Sequence, residues 1–342
     1  MPYIHFQPSE GCPGRLARPR MRDSQSRDAG SNPARGKTTV LHSGTHWHFR
    51  FAFTSSKIDK VINFSVTKIL MISNWIKLWK LKRRVEKVYK PKEDSEKAVA
   101  YLLALFDVPE ERGKLLMELA GLAEKFDDYL DKEKKSFAKL EDMHKELEES
   151  MGEEWKRYSQ ILSEIEEKVG EGRYKLFNNM IERAWECELT TLELQKSLQA
   201  YKAPQEGDLK KLLKEILGRT AYITAAVAAL EDPQAMKFAW FYGAVLQAIH
   251  DLKSYKEDSE KGQANYIIAL ECNEKDVLEA CKELANELLK ATPKEYTYFS
   301  KYIAEKLIKE AEKYVKGKRE RSREELEQNV GWMLTQSLSH PL

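Results

Sequence analysis

The stretch Phe126-Asp127-Asp128-Tyr129-Leu130-Asp131 sets two carboxylates, Asp127 and Asp131, four residues apart, with Asp128 between them. On a helix, side chains four apart project from one face. A second stretch, residues 241–258, ends with His250, Ser254 and Asp258 at the same four-residue interval, and Asp251 sits beside them. Carboxylate and hydroxyl oxygens suit Mg2+, which keeps several waters and prefers to share phosphate oxygens. Such an ion can neutralise a diphosphate as it departs from carbon. A simpler reading competes with this one. In a chain with 33% charged residues, a lone acidic cluster reads as a solvated helix end. The pair argues against that, because each acidic end follows a long apolar stretch, "LLMELAGLAEK" in one case and "FYGAVLQAI" in the other.

The elements that must position these residues are helical. From Met71 onward apolar residues recur at helical spacing, and no alternation with hairpin signals appears. The spacing predicts helices over "SEKAVAYLLALF" and "GKLLMELAGLAEKFDDYLDKEKK", then a long charged helical stretch over residues 137–170. Further helices are expected over "LFNNMIERAWECELTTLELQKSLQAY", "LKKLLKEILGRTAYITAAVAAL" and "AMKFAWFYGAVLQAIHDLKSYKED", with helices resuming to about residue 318. Loops are expected at "KAPQEGD", at Asp232-Pro233 and at "SEKGQANY". The reading is an all-α chain whose short connections suit antiparallel neighbours. "MISNWIKLWKLKRRVEKVYK", residues 71–90, is basic and amphipathic. It suits either the first helix of a bundle or a helix lying on an anionic membrane surface.

Composition limits the function classes. The 57 Lys+Arg nearly balance the 55 Asp+Glu, and a net charge of +2 makes no case for nucleic-acid binding. Four cysteines without a CxxC pair argue against a disulfide framework or zinc ribbon and suit a reducing cytoplasm. No apolar run approaches the roughly 20 residues of a spanning helix. Residues 1–70 differ from the rest. They hold five of the eleven prolines and four of the seven histidines, show no period, and read as a disordered arm. A second reading is that they are not native protein, since "RDAGSNPARG" resembles a peptide read through a transfer-RNA gene, with Met71 as the true start. The expected organisation is therefore an extension over 1–70, a helical domain over 71–320 and a C-terminal tail over 321–342.

The motif order resembles the all-trans polyprenyl diphosphate synthases and their class I terpene synthase relatives. "MELAGLAEKFDDYLD" looks like the family's first aspartate-rich helix. "LLKEILGRTAYITAAVAAL" is similar to its Lys-Thr helix, with Arg219-Thr220 in the Lys-Thr place. "FYGAVLQAIHDLKSYKED" looks like the second aspartate-rich helix, with Gly243 and Gln247 on the usual Gly and Gln. "EKGQANYIIALE" resembles the Gly-Lys-x-Thr segment that follows. The similarity spans roughly residues 72 to 318. It implies a single large helical bundle of the isoprenoid synthase type, Mg2+ as cofactor, a prenyl diphosphate as substrate, and a homodimer. It implies catalytic roles for Asp127, Asp128, Asp131 and Asp251. Arg219, Thr220, Gln247 and Lys261 would bind diphosphate, and Asp127, Asp131, Ser254 and Asp258 would bind metal.

The chain also departs from that pattern. His250, Asp251 and Ser254 stand where the second motif is usually DDxxD. Ser254 with Asp258 is closer to the second metal motif of the terpene synthases. No Gly-Lys-Arg segment precedes the first motif, and Lys132, Lys134 and Lys135 replace the two arginines that usually follow it. Prenyl transfer, cyclisation and a non-catalytic helical protein are thus all expectations to be weighed. His250 is expected to form a hydrogen bond behind the metal ligands. Tyr222, Trp240, Phe241 and Tyr242 are expected in the core, where their faces could steady a carbocation. Cys187, Cys272 and Cys281 are expected as small core residues. The site reading stands only if Asp127 and Asp258 face one another across a cavity.

Overall fold

The computed structural model describes the backbone of residues 71–133, 135, 137–199, 206–271 and 276–338, with side chains through most of these but not in 194–199, 206–212 or 320–338. The expectations for residues 1–70, a stretch that includes His42, His46 and His48 as spaced for a metal site, and for Cys272 lie outside the described residues. Within them the chain is all-α, with no strand.

Helix α1 covers residues 71–84 and runs into a π turn at Val85–Tyr89. Then come α2 (Asp94–Leu105), α3 (Glu110–Glu133), α4 (Leu140–Ser150), α5 (Gly152–Val169), α6 (Glu171–Gln199) and α7 (Glu206–Glu231). These are followed by α8 (Met236–Lys261), α9 (Tyr266–Glu271), α10 (Val277–Ala291) and α11 (Thr297–Leu338). Local chemistry sets several boundaries. A capping box between Glu93 and Glu96 opens α2. The Asp276 side chain accepts hydrogen bonds from the amides of Leu278 and Glu279 and so opens α10. Pro233 separates α7 from α8. Gly262 closes α8 at φ +68°, a conformation that favours glycine.

Helix α7 lies between α6 and α8, packed along both, and also meets α2. Its Ala-rich second half is wholly buried, from Ala225 to Leu230. Glycines bring these helices close together. A Cβ at Gly243 of α8 would sit 2.7 Å from both the Ala221 Cα and the Thr220 carbonyl oxygen of α7. A Cβ at Gly218 would sit 2.5 Å from the Cys187 Sγ of α6. Beside Gly243, the Thr224 hydroxyl donates to the Ala239 carbonyl at 2.7 Å, tying α7 to α8. Cys187 and Cys281 are buried thiols.

Three boundaries differ from the sequence reading. Residues 137–170 form two helices, broken at Met151, where ψ turns to 44°. The apolar spacing there is helical throughout, but the break lets Met143 and Leu147 on one segment and Ile161 and Ile165 on the next all reach full burial. Helix α7 begins at Glu206, inside the expected loop; Glu206 and Asp208 suit a first helical turn, where negative charge is favoured. The tail expected from 321 is helical backbone through Leu338, because residues 319–338 contain no proline and many strong helix formers.

Candidate functional site

The C-terminal turns of α3 and α8 converge on one cavity of about 570 Å3, to which α2, α6, α7 and α11 also contribute. All ten positions singled out in the sequence border it: Asp127, Asp128, Asp131, Arg219, Thr220, Gln247, Asp251, Ser254, Asp258 and Lys261. The mouth is polar. Its floor is apolar, with Leu116 and Leu119 from α3, Phe177 and Ile181 from α6, and Ile223 and Val227 from α7.

Arg219 stands at the centre of the polar end. Its Nη1 lies 3.5 Å from Asp127 Oδ1 and 3.6 Å from Glu188 Oε2, so one guanidinium joins α3, α6 and α7. The Arg219 Nε is buried without a hydrogen-bond acceptor, and the Glu188 Oε1 is buried without a donor. Burial alone would disfavour the cation. Glu188, Asp127, Asp251 and Asp131 around it more than offset that and hold it firmly charged. The reverse holds for Glu188. Burial first, then the negative charge of Asp127, push its carboxyl well above the usual range, against the pull of Arg219. One cation therefore faces four carboxyl groups, and the surplus negative charge makes Glu188 harder to ionise than an ordinary carboxyl.

The α8 wall is organised by hydrogen bonds. The Thr220 hydroxyl donates to the Gln247 side-chain oxygen at 2.5 Å. The Gln247 amide donates to Asp251 Oδ1 at 2.8 Å, and the backbone amide of Tyr266 donates to Asp251 Oδ2 at 2.6 Å. Asp251 is thus buried and engaged at both oxygens, linking α8 to the start of α9. One helical turn or two nearer the mouth, the Ser254 hydroxyl donates to Asp258 Oδ2 at 2.5 Å. The Asn265 amide donates to the same oxygen at 2.7 Å, while its carbonyl oxygen accepts from the amides of Ile267 and Ile268. Across the cavity, the Gln263 amide donates to Asp131 Oδ2 at 2.8 Å, joining the α8–α9 turn to α3.

Some residues sit differently from their expected roles. Lys261 is exposed and bonded to Glu257 at 2.5 Å. His250 is exposed and points its Nδ1 toward Asp94, 3.7 Å away. Of the four aromatics expected in the core, Tyr242 is fully buried and lines the cavity, whereas Tyr222, Trp240 and Phe241 are half-buried; the other aromatics that line the cavity are Tyr101, Tyr158, Trp185 and Tyr302, with Phe177.

Gln263 and Asn265 carry no role in the sequence reading, and Glu188 reads there only as part of a helix-surface ion pair with Arg183 and Glu186, whereas it is buried. Glu188 had a usable signal: an acid flanked at helical spacing by Ala184, Trp185, Thr191 and Leu192, all of them buried. Asn265 had the signal of an Asn directly before an apolar helix. Gln263 had none.

Among the described residues no three His, Cys, Asp or Glu side chains are already gathered into a coordinating group. The hard oxygen donors are divided between the two walls: Asp127 and Asp131 on α3, Ser254 and Asp258 on α8. The donor chemistry and the surplus of carboxyl groups fit a hard divalent cation. No protein-family model matches the chain, and no characterised protein resembles it closely enough in sequence to show kinship.

Proposed function

We propose that this chain is a Mg2+-dependent enzyme of the isoprenoid synthase type, which ionises an allylic prenyl diphosphate and carries out prenyl transfer. The observation that carries the reading is one buried guanidinium among four carboxyl groups at the mouth of a deep apolar cavity. That arrangement favours a polyanion accompanied by divalent cations over either partner alone. Asp127 and Asp131 on one wall, and Ser254 and Asp258 on the other, would hold Mg2+. Bound there, it would neutralise the diphosphate oxygens as the allylic carbon–oxygen bond breaks.

The chain's own residues have separable tasks. Arg219 offers a buried Nε–H with no acceptor to an anionic oxygen and keeps its charge through the reaction. Asn265 and Gln263 fix the orientation of Asp258 and Asp131. The Thr220–Gln247–Asp251 chain holds α7 and α8 in register. The apolar floor keeps water from the positive charge that develops on the prenyl carbon, and the faces of Trp185 and Tyr158 can stabilise it. In this reading the bundle is an isoprenoid synthase fold and works as a homodimer.

A cyclase is the second reading, favoured by Ser254 and Asp258 standing where the terpene synthases' second metal motif falls. Transfer is preferred because Lys97, Lys253 and Lys306 border the same cavity from α2, α8 and α11. Burial, then the charge of Lys253, depress the Lys306 ammonium, with Lys97 adding to the effect. A crowded set of cations suits a second anionic substrate. The test is turnover of radiolabelled geranylgeranyl diphosphate with Mg2+, in the presence and absence of isopentenyl diphosphate. Elongation only with the second substrate supports transfer, release of a hydrocarbon without it supports cyclisation, and no turnover of any prenyl diphosphate supports a non-catalytic protein.

A further inference from the structure

Helix α1 and the π turn that follows it carry two sets of apolar residues, an exposed outer one toward the N-terminal end and a buried inner one toward the C-terminal end. The inner one is accounted for: Leu81, Val85 and Tyr89 are buried, with Leu78 and Val88 packed against the same core. The outer one carries Met71, Ile72, Trp75, Ile76 and Trp79, which are 68%, 59%, 66%, 41% and 46% exposed. Among the described residues only two other large hydrophobics are exposed, Leu289 and Tyr302. Exposed apolar area is therefore concentrated on one helix, and its spacing puts all five residues on one stripe.

The charge around that stripe selects its occupant. Residues 71–90 contain seven Lys/Arg and one Glu, in a chain whose net charge is only +2. Lys80, Lys82, Arg83 and Lys87 are exposed beside the stripe or at its C-terminal end. The Arg83 guanidinium lies over the Trp79 ring, 5.1 Å from its centroid, so the basic and aromatic groups share one surface. Exposed tryptophans bordered by lysine and arginine match the boundary between acyl chains and anionic headgroups. A second copy of the chain presenting the same basic face would meet like charge. Among the described residues no helix is long and apolar enough to cross a membrane, so the contact is one of a helix lying in the surface.

We infer that the outer face of α1 docks this protein on an anionic lipid surface, with Trp75 and Trp79 entering the headgroup boundary and Lys80, Lys82, Arg83 and Lys87 meeting the headgroup charge. This is independent of the chemistry proposed for the cavity.

The experiment is flotation of the full-length chain, so that residues 1–70 are present to compete for the face. Vesicles of phosphatidylcholine alone are compared with vesicles of phosphatidylcholine mixed with phosphatidylglycerol. Binding is expected to the mixed vesicles only, and to weaken with salt. A basic side chain near an anionic surface strengthens binding roughly five-fold, so Lys80→Glu with Arg83→Glu, which together change four unit charges, should weaken it by roughly 600-fold. Trp75→Glu with Trp79→Glu should abolish it. All four positions are exposed, and an unchanged thermal melt shows that the fold survives. Equal binding to both vesicle types, or binding unchanged in the tryptophan variant, overturns the inference. So does a wild-type dimer in sedimentation that the tryptophan variant dissociates while neither binds vesicles, which would make a second copy the occupant.

Discussion

Replacing Arg219 with Met removes the one buried cation of the site while roughly keeping its volume. In the intact chain the Arg219 Nη1 is 3.6 Å from Glu188 Oε2. At that separation a unit charge pair is worth about 4–5 kcal/mol at an effective dielectric of about 20. The Glu188 side chain is 8% exposed and feels most of this, while Asp127, 41% exposed, is screened. Removing the arginine also removes its own desolvation cost, so the net loss should be about 3–5 kcal/mol, as for other buried pairs broken from one side. In a domain of this size that lowers the melting temperature by roughly 10 °C. The protein can lessen the loss by taking up protons. Glu188 already has a raised folded pKa; without Arg219 it rises further. A carboxyl with a folded pKa above its unfolded value loses stability as pH rises between the two. The deficit of the variant should therefore be small near pH 5 and grow toward pH 8. Adding Glu188→Gln, which mimics the protonated acid, should recover most of it. Urea denaturation at three pH values measures all of this. An Arg219→Met chain as stable as wild type at pH 8, or a double variant no better than the single, would refute the charge balance described for the site.

Three further outcomes are expected. Gly243→Ala should destabilise by about 3 kcal/mol, the upper end of overpacking, since its Cβ would meet α7 backbone at 2.7 Å, whereas Gly317→Ala, with nothing within 4 Å, should be neutral or stabilising; chemical denaturation compares them. Glu146 accepts hydrogen bonds from Tyr129 at 2.7 Å, Lys135 at 2.6 Å and Ser150 at 2.8 Å, which lower its carboxyl to about 2, so its contribution is present above pH 4.5 and lost as pH falls toward 2; Glu146→Gln should flatten that part of an acid titration followed by circular dichroism. Asp127→Ala and Asp131→Ala should each lower turnover of a prenyl diphosphate by on the order of 100-fold or more with little loss of stability, because each removes an oxygen donor from a cluster of like charge. Unchanged steady-state rates in both would mark the cluster as a solvated helix end.

The helices were legible because their apolar residues keep a 3.6-residue period, and the acidic lining of the cavity was legible where a motif ends a long apolar run. Asp127 and Asp258 are far apart in sequence, yet the apolar faces of α3 and α8 that precede them must both reach the core, and this delivers the two acidic ends to one cavity. Periodicity says nothing of which side chains cross from one helix to the next. Glu188 drew no site role because, taken alone, one more glutamate in a chain rich in them forms no pattern; its signal lies in the buried neighbours at helical spacing, and its weight comes from desolvation beside Asp127. The break at Met151 was hidden because apolar spacing continues through it. In α1 the spacing supported either a core helix or a surface helix. Both are present in succession, exposed up to Trp79 and buried from Leu81 on, which a period shared by the two stretches does not separate.

The central claim is that the cavity mouth binds diphosphate together with Mg2+. Calorimetric titration of pyrophosphate into the full-length chain, with and without Mg2+, tests it most directly. The account predicts binding only when Mg2+ is present, lost in Asp127→Ala and in Asp258→Ala, which stand on opposite walls. Binding that needs no Mg2+, or that survives both substitutions unchanged, would contradict it.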